Sequence, residues 1–146
     1  MATWILVAHR AGARVFEHNN SQPGLQLVST LQNEAGRLKS GALESDKPGS
    51  SFSTGAVHGG HPMGHEDLAH ERVADAFAKE LCELLAKGRS DKRYDSLVLV
   101  AEPHFVGILR AKLDHQTAQL VTATVSKDLG HVPAHELSGH LRGIAM

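Results

Sequence analysis

Two uninterrupted apolar runs stand out along the chain, Trp4-Ile5-Leu6-Val7-Ala8 and Leu97-Val98-Leu99-Val100-Ala101. Each is short and bounded by polar residues, which predicts strands covered on both faces. After the first run, Ala11-Gly12 makes a tight connection and Ala13 to His18 resumes as a second strand. The segment Asn19 to Gly24 is rich in turn formers. Beyond it Leu25, Leu27, Ser29 and Leu31 alternate with Gln26, Val28, Thr30 and Gln32, the period of two of a half-exposed strand. From Glu66 the period lengthens: Val73, Phe77, Leu81, Leu84 and Leu85 recur at helical spacing, with Ala69, Ala76 and Ala78 between them. Acidic Glu66 and Asp67 open that helix and Lys87-Gly88-Arg89 closes it, matching the helix dipole and a glycine terminator. After the second apolar run, Pro103 fits the first turn of a helix striped by Phe105, Ile108, Leu109 and Leu113. Leu120 to Val125 is rich in β-branched residues and reads as a strand. Pro133 opens a short final helix carrying Leu137 and Leu141, weakened by Gly139.

The resulting order is βββαβαβα. Two buried strands separated by a helix favour a parallel pair joined by a right-handed crossover. An antiparallel meander extended in this way is the order of ribonuclease H-like folds, so the expectation is an α/β mixed sheet in a single domain spanning residues 1–146. Residues 38–65 interrupt it. Thirteen of those 28 residues are Gly, Ser or Pro and no apolar period survives, which predicts a long mobile loop.

Composition narrows the function. The chain has 146 residues, 41% of them apolar, enough for one compact core without staples. Fifteen basic residues against sixteen acidic ones exclude a strongly basic nucleic-acid coat or membrane-surface binder. One cysteine excludes a disulfide framework, a CxxC redox pair and a multi-cysteine zinc site. No apolar run reaches the length of a signal or membrane segment, so the expected setting is cytoplasmic, away from any membrane. Neither a GxSxG elbow nor a phosphate-cradling glycine motif occurs, and no cofactor is expected. Cys82 lies among Leu81, Leu84 and Leu85 and reads as packing. Lys87, Arg89, Lys92 and Arg93 read as a solvated helix end.

Two constellations are candidates for chemistry. Two-metal nuclease chemistry on a ribonuclease H-like sheet needs carboxylates on the first strand, the long helix and the tip of the next strand. Here the first strand ends in His9-Arg10, so that set is incomplete, and Glu102 at the fourth strand's tip reads foremost as a surface or helix-start carboxylate. The second constellation is the histidine-rich stretch His58, His61, His65 and His70. Imidazoles suit zinc, nickel or copper, and a flexible loop folding His58, His61 and His65 round one ion would make a metal-dependent hydrolase the alternative function. The spacing is not HExxH, and a His-rich polar loop is the simpler reading.

Taken in order, several stretches resemble the bacterial host-attachment protein family, named for proteins required for attachment to host cells. They are Trp4 to Ala8 with Ala13 to Glu17, Ser51-Phe52-Ser53, His65-Glu66 ahead of Phe77 to Leu81, Leu97 to Pro103 with Gly107 to Arg110, Lys127-Asp128-Leu129, and Glu136-Leu137. The resemblance implies kinship with the middle domain of archaeal and eukaryotic peptide release factors, a ribonuclease H-like fold without nuclease chemistry. In those factors a Gly-Gly-Gln tip precedes the long helix and reaches the peptidyl-transferase centre. Gly59-Gly60-His61 occupies a comparable place here, with histidine for glutamine. The expected function is therefore a non-catalytic binding module whose partner is the ribosome, RNA or another protein. Its expected contacts are His9, Arg10, Arg14, Gly59, Gly60, His61 and Glu102. Any role in attachment would be indirect, and the oligomeric state is open.

Overall fold

A computed structural model describes residues 2–37 and 65–143. Five strands form one mixed sheet in the order β3-β2-β1-β4-β5. Strand β1 (Ala2–His9) is central, antiparallel to β2 (Gly12–Asn19) and parallel to β4 (Ser96–Ala101). Strand β3 (Gln22–Gln32) continues the antiparallel ribbon, and β5 (Val121–Ser126) lies parallel to β4. The anticipated meander and parallel crossover are both present, giving the ribonuclease H-like α/β arrangement.

Alternation along the strands sorts the core into two layers. Trp4, Leu6 and Ala8 of β1 and Leu97, Leu99 and Ala101 of β4 face α2 (His65–Ser90) and α3 (Pro103–Lys112), where Phe77, Leu81, Leu85, Phe105 and Leu109 meet them. Ile5 and Val7 with Val98 and Val100 face the other way, onto Leu129 and onto Leu137 and Leu141 at the final helix, α5 (Ala134–His140). Both layers converge on β1 and β4, which explains why Trp4 to Ala8 and Leu97 to Ala101 are uninterrupted apolar runs. The sequence pattern did not anticipate two one-turn helices, α1 (Glu34–Arg37) and α4 (His115–Ala118), because four residues are too few to show a helical period.

Two local expectations are corrected. The strand β3 runs through Pro23-Gly24, which was expected to be a turn. A register irregularity between Glu17 and Asn19 and a left-handed Gly24 (φ 78°) absorb the two residues at this sheet edge. Gly88 does not terminate α2, which continues to Ser90. It lies where a Cβ would overlap the Trp4 ring, and that ring stacks on Tyr94 with centroids 4.7 Å apart. The helix ends instead in a Schellman arrangement: Arg93 N–H donates to the Gly88 carbonyl, Lys92 N–H donates to the Arg89 carbonyl, and Lys92 takes the left-handed conformation at φ 58°. No helix among the described residues is long and apolar enough to cross a membrane.

Candidate functional site

The carboxyl ends of β1 and β4 open onto a cleft of about 730 Å³. Crevices of this size at this edge of a partly parallel sheet are where α/β proteins commonly place ligands. Val73, Ala74 and Phe77 of α2, together with Phe105 of α3, give the cleft an apolar floor. His9, Arg10, Asn33, His70, Glu71, Glu102, His104, Asp128 and His131 supply its polar groups, brought together from five separate stretches of chain.

The three carboxylates are already engaged. Glu102 is the N-cap of α3: one oxygen accepts from Phe105 N–H at 2.8 Å and the other from His104 N–H at 3.2 Å. This satisfies two of the orphan donors at the helix start, the helix-start role its place in the sequence indicated. Glu71 on α2 meets His104 Nε2 at 2.9 and 3.2 Å, an exposed pair that ties α2 to α3. Asp128 accepts from Gly130 N–H at 3.1 Å, closing a local turn after β5. Replacing Glu102 with alanine is expected to lower stability by about 1 kcal/mol through loss of the cap, measured by urea denaturation.

The cationic and imidazole groups are less committed. Arg10 is exposed at the β1–β2 turn, and its guanidinium makes no hydrogen bond or ion pair with any described residue. His70 Nε2 is buried without a hydrogen-bond partner among the described residues. His9 is half-buried at the end of β1, and its Nδ1 accepts from Ala11 N–H at 3.3 Å. Burial, and then the neighbouring His131, push its pKa below the ordinary histidine value, with Asp128 acting in the opposite direction and Arg14 adding to the depression. Arg14 is not free to meet a partner: its Nη2 donates to the Leu129 and Gly130 carbonyls, each at 3.2 Å, and its guanidinium lies 5.4 Å from the Phe16 ring centroid.

The fold therefore brings His9, Arg10 and Glu102 to one cleft and gives Arg14 the task of holding its rim. Gly59, Gly60, His61 and His58 lie outside the described residues, as do the expected mobile loop up to residue 64 and the His65 side chain. Among the described residues no three His, Cys, Asp or Glu side chains are grouped to hold a metal ion. Sequence reasoning missed Asn33, Glu71, His104, Asp128 and His131. His104 and Asp128 carry one usable signal, since each follows an apolar strand by two or three residues, where α/β folds place functional groups. Cys82 is buried, donates to the Leu109 carbonyl at 3.6 Å, and has its pKa raised to about 11 by burial, consistent with a packing role.

No curated protein matches the chain. Among solved structures, one described as an archaeal protein has a similar fold, with a TM-score of 0.50 and 10% sequence identity over 97% of this chain. The match covers 33% of that protein, so this chain spans about a third of its length. The family model for proteins required for attachment to host cells matches residues 4–141, nearly all of the sheet and its helices, and the chain belongs to that family.

Proposed function

We propose that the protein is a non-catalytic binding module that engages an RNA-bearing partner at the β1–β4 cleft, with any part in attachment to host cells indirect. One observation carries this reading: among the described residues, each carboxylate facing the cleft is engaged in a helix cap, a local turn or an ion pair, whereas the Arg10 guanidinium at its lip is unpaired. Metal-assisted hydrolysis needs free, clustered carboxylates or imidazoles. An available guanidinium beside a shaped surface suits recognition of a phosphate backbone. The balanced overall charge is compatible with a local contact of this kind, since a basic coat is not required for one docked tip. The kinship with release-factor middle domains that the family resemblance implies directs the search to the ribosome.

Co-sedimentation with ribosomes at low salt tests the reading. Retention is expected for the intact protein and is expected to fall on Arg10→Glu, or on deletion of residues 55–64, which include Gly59-Gly60-His61. No co-sedimentation at any salt concentration would overturn it. A second expectation follows from eleven histidines with reference pKa near ~6.5. Lowering the pH from 7.5 to 5.5 adds positive charge to a chain that is nearly neutral, so retention on heparin is expected to strengthen, and equal retention at both values would refute it.

A further inference from the structure

The ring of His9 is wedged beneath the loop that joins β5 to α5. Its Nδ1 accepts the Ala11 N–H, and on its other side lies Gly130, where a Cβ would overlap the ring. The His131 ring centroid is 4.8 Å away, tilted by 52°. The same loop is anchored from β2 by Arg14, which donates to the Leu129 and Gly130 carbonyls, and from below by the buried Leu129 side chain. His9 and Arg14 thus fasten residues 128–131 to the strand tips, and Asp128 and His131 of that loop form one wall of the cleft.

A ring nitrogen that accepts a hydrogen bond carries no proton, so the observed geometry requires neutral His9. Protonation turns Nδ1 into a donor facing the Ala11 donor. It also places a positive charge beside Arg14 and His131, opposed within the loop only by Asp128. The other charged or titratable groups that share the cleft are Arg10 on the β1–β2 turn, His70 and Glu71 on α2, and Glu102 and His104 at the start of α3. Glu71 is occupied by His104 and Glu102 by the α3 cap, so neither is freely available to neutralise His9.

We propose that His9 and residues 128–131 form an acid-released latch on the cleft: neutral His9 holds the rim closed, and protonated His9 lets the loop lift and widens the opening. The consequence for binding rests on the reading of the cleft given above; the latch itself does not. The sign follows from the burial of His9. Its folded-state pKa lies below the unfolded value, so the neutral ring's contribution is complete above about pH 6.5 and declines as the pH falls toward the lower folded value.

Amide hydrogen exchange on the full chain, corrected for intrinsic rates, tests this without any ligand. Between pH 7.0 and 5.0, protection of Ala11 and of residues 129–132 is expected to fall several-fold, while Val98 to Val100 in the core stay protected. His9→Asn keeps an acceptor oxygen near the Nδ1 position but cannot titrate, and is expected to abolish the pH dependence. Arg14→Gln is expected to leave the loop open at both pH values. Loop protection that does not change with pH in the intact protein would overturn the proposal, as would an unchanged response in His9→Asn. Should that variant fail to fold, the His9 ring titration followed by NMR still decides: its midpoint must coincide with that of loop opening, and a separation of more than one unit would overturn the latch. Because no partner is involved, failure here leaves the ribosome reading standing, and failure of co-sedimentation leaves the latch standing.

Discussion

Truncating Leu99 to alanine is expected to destabilise the protein by about 2–5 kcal/mol. Leu99 is fully buried at the middle of β4, paired with Leu6 of β1 and Thr124 of β5, and packed in the layer beneath α2 and α3. The loss combines the transfer free energy of the deleted atoms with a cavity that flanking strands cannot close, because the hydrogen-bonded sheet fixes their spacing. Domains of this kind are stable by only about 5–15 kcal/mol, so the variant should unfold at a much lower urea concentration with an unchanged m-value. The control is Leu27→Ala at the sheet edge. Leu27 is 59% exposed, and its truncation is expected to stay within about 0.5 kcal/mol of the parent. Equal effects at the two positions would contradict the two-layer core.

Gly36→Ala is expected to cost about 1–3 kcal/mol and to disturb the cleft as well. Gly36 is buried in the one-turn helix after β3, and a Cβ there would strike the Arg10 carbonyl oxygen. That oxygen is backbone, held in place by the Asn33 side-chain amide at 2.9 Å. It cannot swing aside as a side chain would, so the β1–β2 turn or α1 must move. Denaturation gives the stability loss, and amide chemical shifts at residues 10–12 and 33 should report the displacement beside Arg10. Gly139→Ala is the comparison with the opposite sign. Nothing lies within 4 Å of a Cβ at Gly139, which sits in α5. Alanine there is expected to raise stability by about 0.5–1 kcal/mol by restricting the unfolded chain and favouring helix.

The cleft shows where local pattern stops being informative. Glu102 was legible, because a carboxylate three residues before a helix stripe and directly before Pro103 is a cap by local rules alone. His9 was legible as the polar residue closing an apolar strand. Arg14 was expected as a contact for a partner, whereas its guanidinium is taken up by the Leu129 and Gly130 carbonyls, more than a hundred residues away, and no spacing rule points to them. Gly88 misled for a related reason: a glycine near a helix end resembles a terminator, yet this one is required by Trp4, on the distant first strand.

By itself the sequence determined the strands, the two long helices, their order, and hence the mixed sheet, since periodicity and end signals are properties of neighbouring residues. The tertiary structure alone decided which carboxylates are engaged, that Arg10 is left unpaired among the described residues, and that His9 meets Gly130 and His131. Those facts depend on closing the chain between residues 9, 33, 71, 104 and 130. Long-range closure is driven by burial of the apolar faces, and the polar groups at the strand tips are carried to wherever that packing leaves them.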